Sequence, residues 1–513
     1  MKNYTEKILP LIPKPIVVNV LPCTFQFTKG IKIFVIDELE NIGRQLQTYL
    51  SAKFGWEIPL VKQKDTDKLI VLEYNDDISL PREGYHINAD EEIIYITGVH
   101  AQGIFYGTQT LKQLIVLKNE NDGEIKEEKW EMPCVLIRDY PRFSWRGFML
   151  DEARHFMGTG NVKKILDLMA FHKLNKFHWH LVDDQGWRIE INQYPKLTKI
   201  GSKRILMVKR GEQPIDGDQS VYGGYYTQKE IKEIIQYAQE RFIDIIPEIE
   251  MPGHCVATLA AYPELSCTGG PFKIPTRWGI FKDVYCPGKD LVYEFLENVL
   301  KEIIEIFPSK IIHIGGDEVI KARWKKCPDC KSKIEKENLA KIKDLQVFLT
   351  NYFANYLENK HRYLMGWNQI LDENLTENAI SQYWFGKKKK LLYYLRKGRK
   401  TVMTNYLQTY LDHPYKIISV KKAYDFEPIP SELEVEFHSN ILGLEAPLWT
   451  ERVTSIERFN FQVFPRLTAY AETAWTPKAQ KNFKSFFARL VDFMKQLEED
   501  FDVKNSLANN NYD

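Results

Sequence analysis

Lys310-Ile-Ile-His-Ile-Gly-Gly-Asp-Glu318 is the stretch from which the fold can be read. Residues 311–314 form a short apolar run of the kind that builds a buried strand. Gly315 and Gly316 break the run, and two adjacent carboxylates, Asp317 and Glu318, follow. Glycine lacks a Cβ, so the pair permits a sharp turn and close approach of a ligand to the backbone. Carboxylates just past the end of a buried strand stand where α/β barrels hold their chemistry. Neighbouring strand residues point to opposite faces, so Asp317 and Glu318 should have different tasks if both act. From the local pattern alone, a helix N-terminus favouring acidic residues explains the pair equally well.

On both sides of this stretch, from Trp145 onward, apolar runs alternate with helical ones. Strands are expected at 147–150, 176–182, 244–249, 311–314, 363–366, 379–384, 401–404 and 441–445. Helices are expected at 162–172, 228–241, 291–307, 340–358, 389–396 and 465–475, with Pro465 in the first turn, where proline is tolerated. This alternation predicts a parallel (β/α)8 TIM barrel rather than an open sheet. A final amphipathic helix is expected at 483–501, followed by a frayed polar tail.

A smaller α+β domain precedes the barrel. Its strands are expected at 16–20, 31–36 and 68–74, with two more within 84–96 around the turn signal Asn88-Ala89-Asp90. Helices are expected at 39–54 and 101–116, and the charged run 118–129 reads as a solvated connection. The expected domains are an accessory unit over 1–138 and a catalytic barrel over 139–505.

The 513 residues carry a net charge of +1, which gives no reason to expect nucleic acid or an anionic membrane as partner. No apolar run reaches the roughly 18 residues of a membrane span. The N-terminal residues show no secretory pattern, so a cytoplasmic location is expected, although a trimmed secreted chain would look the same. The seven cysteines are odd in number and scattered, which does not suggest a disulfide framework. Cys327-Pro-Asp-Cys330 has the spacing of half a zinc site, but no second half follows it, so a structural loop and no metal is the expectation. His178-Trp-His180 is read as packed, hydrogen-bonded histidines rather than metal ligands.

Polar and aromatic residues collect past all eight expected strands. Asp151, Arg154 and His155 follow the first; Asp183, Asp184, Gln185 and Trp187 the second; Glu250 and His254 the third. Trp367 and Trp384 end the fifth and sixth, Tyr410 and Asp412 follow the seventh, and Trp449 and Glu451 the eighth. Acidic acceptors, an arginine and several indoles suit a ring bearing many hydroxyls. No Gly-x-Ser-x-Gly elbow and no phosphate cradle is present.

At the level of whole motifs the chain resembles the β-N-acetylhexosaminidases of glycoside hydrolase family 20. The resemblance rests on Pro141-Arg-Phe-Ser-Trp-Arg-Gly147 with Leu150-Asp-Glu-Ala-Arg-His-Phe156, and on Lys173-Leu-Asn-Lys-Phe-His-Trp-His-Leu-Val-Asp-Asp-Gln-Gly-Trp187. Pro247-Glu-Ile-Glu-Met-Pro-Gly-His254, His313-Ile-Gly-Gly-Asp-Glu318, Tyr410-Leu-Asp412 and Leu448-Trp-Thr-Glu451 complete it, in the family's order. The resemblance implies an exo-acting, retaining enzyme in which the substrate's own acetamido oxygen is the nucleophile. It implies Glu318 as general acid and base, Asp317 as the group that orients and polarises the acetamide, and Tyr410 as donor to the acetamide oxygen. His254 and Asp183 would relay toward Glu318. Arg154, Asp412 and Glu451 would grip the sugar hydroxyls, and Trp367, Trp384 and Trp449 would wall the pocket.

No cofactor is implied, and the partner is a glycan with a terminal β-linked N-acetylhexosamine. The oligomeric state stays open, a homodimer included. The chain departs from the family's usual Gly-Trp-Asp-Glu at Gly366-Trp-Asn-Gln369, from Ser-Trp-Arg-Gly at Tyr383-Trp-Phe-Gly386, and from a common Gln at Glu445. These departures bear on the aglycone and the sugar configuration. Release of a disaccharide, hydrolysis of a sulfated sugar, and a catalytically silent binding barrel are the alternatives.

Overall fold

The computed structural model describes residues 9–64, 68–76, 79–122, 125–205 and 221–504. Within them, eight parallel strands close a barrel in chain order. They are β1 (Trp145–Asp151), β2 (Lys176–His180), β3 (Asp244–Glu248), β4 (Ile311–His313), β5 (Tyr363–Trp367), β6 (Ile380–Tyr383), β7 (Thr401–Met403) and β8 (Ile441–Leu448), and β8 pairs back onto β1. All eight expected strands are therefore present. Every residue of β1 and of β6 is buried, as befits strands covered on both faces.

The barrel is a packed core. An apolar plug of Trp145, Ile246, Met365, Ile380 and Val402 fills one layer. Toward the strand C-termini lies a polar layer containing His178, His180, Glu248, His313, Gln382 and Glu445, every one unexposed. The chemistry sits beyond that layer, on the loops.

Helices Thr159–Phe171, Gln228–Gln239, Asp290–Ile306, Asp344–Glu358, Lys388–Arg396 and Arg466–Trp475 occupy the expected stretches. The start of Gln228–Gln239 is fixed by local chemistry. Thr227 accepts from the Glu230 N–H at 3.2 Å while the Glu230 carboxylate accepts from the Thr227 N–H at 2.8 Å, which satisfies two orphan donors at once. Two expectations shift: the helix expected from 340 begins at Asp344, and Pro465 precedes Arg466 as the cap rather than standing in the first turn.

The N-terminal domain is a mixed sheet of eight strands. Its order is Val17–Gln26, Ile125–Asp139, Tyr85–Ala89, Ile93–Gly98, Leu69–Tyr74, Lys32–Val35 and Leu60–Val61, and Val116–Asp122 also pairs with Ile125–Asp139. The described parts of the charged run, 118–122 and 125–129, are thus not a connection. They lie in an antiparallel pair, Val116–Asp122 against Ile125–Asp139, whose backbone groups satisfy one another.

Helix Ala101–Leu114 lies between this sheet and the barrel. A Cβ on Gly107 would come 2.4 Å from Ile96 Cγ2, so the helix can approach the sheet only because that position is bare. On the other side, Gln113 Nε2 donates to the carbonyls of Ile12 (2.9 Å) and Phe171 (3.0 Å). At the same junction Asp139 accepts from Lys173 Nζ at 3.2 Å and from Trp475 Nε1 at 2.9 Å, with Lys173 and Asp139 fully buried. No helix of the described residues is long and apolar enough to cross a membrane.

Candidate active site

The turn after β4 is built by glycine. Gly315 and Gly316 adopt φ of 65° and 88°. A Cβ on Gly315 would stand 1.7 Å from the Glu250 carboxylate, and one on Gly316 would stand 2.5 Å from Ile370. The turn delivers Asp317, buried, and Glu318, whose side chain is 25% exposed, to the barrel mouth. Glu318 is itself at φ 49°, and its N–H donates to Gln369 Oε1 at 2.9 Å.

His254 joins the acid pair to a second pair. Its Nε2 is 3.6 Å from Glu318 Oε2 and 3.8 Å from Asp317 Oδ2. Its Nδ1 is 3.1 Å from Asp183 Oδ1 and 3.2 Å from Asp184 Oδ2. Burial alone would lower the imidazole pKa, but Asp183 and Asp317 outweigh it and hold His254 well above the ordinary histidine value. Burial pushes the Asp317 carboxyl up to about 6, against the pull of His254 and with the push of Glu318. Asp317 Oδ1 has no hydrogen-bond partner among the described residues, and neither have Asp412 Oδ1 and Trp384 Nε1.

Arg154 is held from three sides. Nη2 lies 2.6 Å from Asp183 Oδ2, Nη1 donates to Asp151 Oδ2 at 3.3 Å, and Nε donates to Gln185 Oε1 at 2.8 Å. Its guanidinium stacks 5.0 Å from the Trp449 ring. Trp449 continues the aromatic wall to Trp367 (5.9 Å between centroids) and Tyr410 (6.3 Å), and Tyr410 to Trp384 (6.3 Å). Burial and the nearby Asp317 hold the Tyr410 hydroxyl well above its usual pKa, so it remains a donor. Burial, together with Glu451, pushes the Asp412 carboxyl up to about 7. All eleven residues expected at the site lie at the C-terminal ends of the strands or on the loops beyond them.

Comparison with known proteins fits this geometry. The profile of glycosyl hydrolase family 20, catalytic domain, matches residues 143–478, and that of domain 2 of the same family matches 9–140. The chain belongs to glycosyl hydrolase family 20. Among its relatives is the beta-hexosaminidase of Porphyromonas gingivalis, 37% identical over 94% of this chain and 63% of that protein. The chain thus spans under two thirds of that relative's length. The beta-hexosaminidase of Akkermansia muciniphila is 32% identical over 84% of this chain and 87% of that protein. The crystal structure of a family 20 exo beta-N-acetylglucosaminidase from Vibrio harveyi with N-acetylglucosamine superposes with a TM-score of 0.83 at 30% identity, over 97% of this chain and 77% of that one.

The family 20 site also contains groups to which the sequence reading gave no partner. Gln185 and Asp151 fix Arg154, and Gln369 holds the backbone of Glu318. Gln185 and Asp151 were visible as polar residues past strand ends; their partner was not. Asp184, read only as a strand end, shares the His254 nitrogen with Asp183.

One rim expectation changes, and two departures from the family pattern gain a structural place. Trp187 is fully buried and its Nε1 donates to the Ile189 carbonyl, so it packs the family 20 scaffold. Glu445, the departure from a common Gln, lies unexposed inside the barrel, accepting from Trp145 Nε1 (3.1 Å) and Gln382 Nε2 (2.7 Å) and pairing with His178 Nδ1 (2.8 Å). Asn368 uses both ends of its amide, accepting from Trp384 N–H at 3.0 Å and donating to the Phe385 carbonyl at 2.8 Å. A carboxylate could not make the second bond. His178, His180 and His313 converge on the buried Glu248 carboxylate within the barrel, with His178 Nε2 3.0 Å and His313 Nδ1 2.7 Å from its oxygens.

Proposed function

We propose that this family 20 chain is an exo-acting, retaining β-N-acetylhexosaminidase that works by substrate-assisted catalysis. The observation that carries the reading is the split of the acid pair. Glu318 is partly exposed and faces the mouth, while Asp317 is buried, with one oxygen free of partners, close to Tyr410. A terminal sugar gripped by Arg154, Asp412 and Glu451 places its acetamide between Asp317 and Tyr410. Tyr410 donates to the acetamide oxygen and Asp317 accepts from its N–H, turning that oxygen toward the anomeric carbon. Glu318 gives its proton to the departing glycosidic oxygen as the acetamide oxygen closes the ring. Asp317 balances the positive charge of the cyclic intermediate. Glu318, now a carboxylate, then takes a proton from water, which opens the ring with net retention.

The test is a leaving-group series. Glu318→Gln should lose about 10²–10⁴-fold in kcat on an alkyl N-acetylglucosaminide. It should lose far less on an activated aryl one, which needs no proton. Equal losses on both would remove Glu318 from the acid role. The matching glucoside, which lacks the acetamide, should not be turned over by the unmodified chain. Turnover of it would remove the substrate-assisted route. A homodimer and a cytoplasmic location remain proposals, checked by light scattering and by cell fractionation.

A further inference from the structure

Four of the seven cysteines, far apart in the chain, come together in the fold. Cys267 follows the short turn Pro263–Leu265, Cys286 precedes helix Asp290–Ile306, and Cys327 and Cys330 flank the start of helix Pro328–Lys336. All four Sγ atoms lie within 4.8 Å of one another. Three of the separations are 3.5 Å (Cys286–Cys330), 3.6 Å (Cys286–Cys327) and 3.9 Å (Cys267–Cys330). A disulfide needs about 2.05 Å, so these pairs are not bonded to each other. A tetrahedral metal with metal–sulfur bonds of about 2.3 Å sets its sulfurs about 3.8 Å apart. The second half of the site, missing in sequence, is upstream of Cys327-Pro-Asp-Cys330 and split between two loops.

Buried thiols are commonly plain packing groups. Four converging on one point, from segments shaped to meet, are harder to explain that way. An antiparallel bridge between Ser266 and Tyr285 holds together the two loop ends that carry Cys267 and Cys286, which lie diagonally across it. A Cβ on Gly288 would come 2.3 Å from the backbone of Asp329 and Cys330, so the Cys286 loop can reach the Cys327–Cys330 turn only through a bare position. Cys286, Cys327 and Cys330 are buried and Cys267 is partly so, which is the seclusion of a closed structural site.

We propose that Cys267, Cys286, Cys327 and Cys330 bind one zinc ion as a tetrathiolate. Four S–H bonds break, four zinc–sulfur bonds form, and four protons pass to solvent, leaving a cluster of charge 2−. Lys289, whose ammonium donates to the carbonyls of Glu264 (2.9 Å) and Ser266 (2.8 Å) beside Cys267, supplies counter-charge. Asp329, 3.8 Å from Cys327 Sγ, opposes it, but its side chain is exposed and free to turn to water.

The ion would act as a clasp. It would tie the loop 268–285 to the shoulder after β4. That loop reaches the sugar site: Gln185 Nε2 donates to the Arg277 carbonyl at 3.2 Å while Gln185 Oε1 holds Arg154. It also supports the turn before His254, since Tyr285 N–H donates to the Pro252 carbonyl at 3.0 Å. Zinc in this position takes no part in the reaction and sets the stiffness of the substrate grip.

The test is elemental analysis of the full chain, purified under reducing conditions without added metal. One zinc per chain is expected, released in step with titration of four thiols by an organomercurial. Protein grown in cobalt should show the thiolate-to-metal charge-transfer and visible bands of a tetrahedral site. Cys327→Ser with Cys330→Ser should abolish both signals. It should also open the loop 268–285 to protease, and where glycoside turnover is measurable it should raise KM several-fold more than it lowers kcat. Zinc well below one per chain with four freely titrating thiols, iron in place of zinc, or a disulfide among the four would overturn the assignment. Metal content is read without any enzyme assay, so this result and the failure of the hexosaminidase reading are separable.

Discussion

His254 stands between two pairs of carboxylates, and its charge sets what each can do. Held as a cation, it steadies Glu318 and Asp317 on one nitrogen and Asp183 and Asp184 on the other. Asp317 nevertheless has a folded pKa raised from 3.8 to about 6, so the folded chain binds that proton more tightly than the unfolded chain. Stability from this group is complete below about pH 4 and is lost as pH rises through about 6. At pH 7 the buried carboxylate therefore costs up to about 3 kcal/mol. Asp317→Asn should stabilise the fold at pH 7 by some of that amount while abolishing turnover. Urea melts at pH 4 and pH 7 check this: the gain should be present at pH 7 and absent at pH 4. The positions of the site residues were legible because whole motifs could be matched. The place of Glu445 was not legible because alternation along a strand does not say how deep in a closed barrel a residue lies. Gln185 was seen only as a strand-end residue because its partner, Arg154, comes from a different strand end.

Among the elements, the barrel strands could be read one by one, since strands buried on both faces appear as continuous apolar runs. The strand pair Val116–Asp122 and Ile125–Asp139 could not, because its first half is dominated by charged and polar residues that look like linker. The turn after β4 carries the strongest demand on identity. Gly315→Ala would place a methyl against Glu250 in a left-handed backbone. The expected cost is at least about 2 kcal/mol. Because Asp317 and Glu318 follow directly, kcat should fall even in protein that remains folded. A variant with unchanged melting and full turnover would show that the turn can re-form without glycine. The interrupted cysteine set belongs at this scale as well: a two-residue spacing is visible in sequence, whereas partners brought in by a cross-loop bridge are not.

At the scale of the whole molecule, the two domains read from sequence as separable, and the structure joins them through buried polar contacts. Lys173 of the barrel pairs with Asp139 of the sheet, both without exposure, and Tyr85 and Trp475 complete the cluster. Lys173→Met should cost about 3–5 kcal/mol, because it leaves Asp139 buried with its cation gone. Both domains should lose stability together in urea melting followed by tryptophan fluorescence and by far-ultraviolet circular dichroism. Two separate transitions would instead restore the picture of independent units. The interface was not legible because a single sequence marks burial but not which buried polar groups meet.

The mouth of the barrel also has a sign. Asp151, Asp183, Asp184, Asp317, Glu318, Asp412 and Glu451 gather around Arg154 and His254, and although burial pushes Asp184, Asp412 and Glu451 toward the neutral form, acidic groups outnumber basic ones. Such a cup repels anions. A terminal N-acetylglucosamine bearing 6-sulfate should be cleaved at least about tenfold less efficiently than the neutral sugar, the effect of a repulsion worth about 1.4 kcal/mol. A protonated iminosugar should be retained more tightly than its neutral lactam. Side-by-side kcat/KM and inhibition constants decide both, and equal handling of the sulfated and neutral sugars would mean that charge does not govern entry.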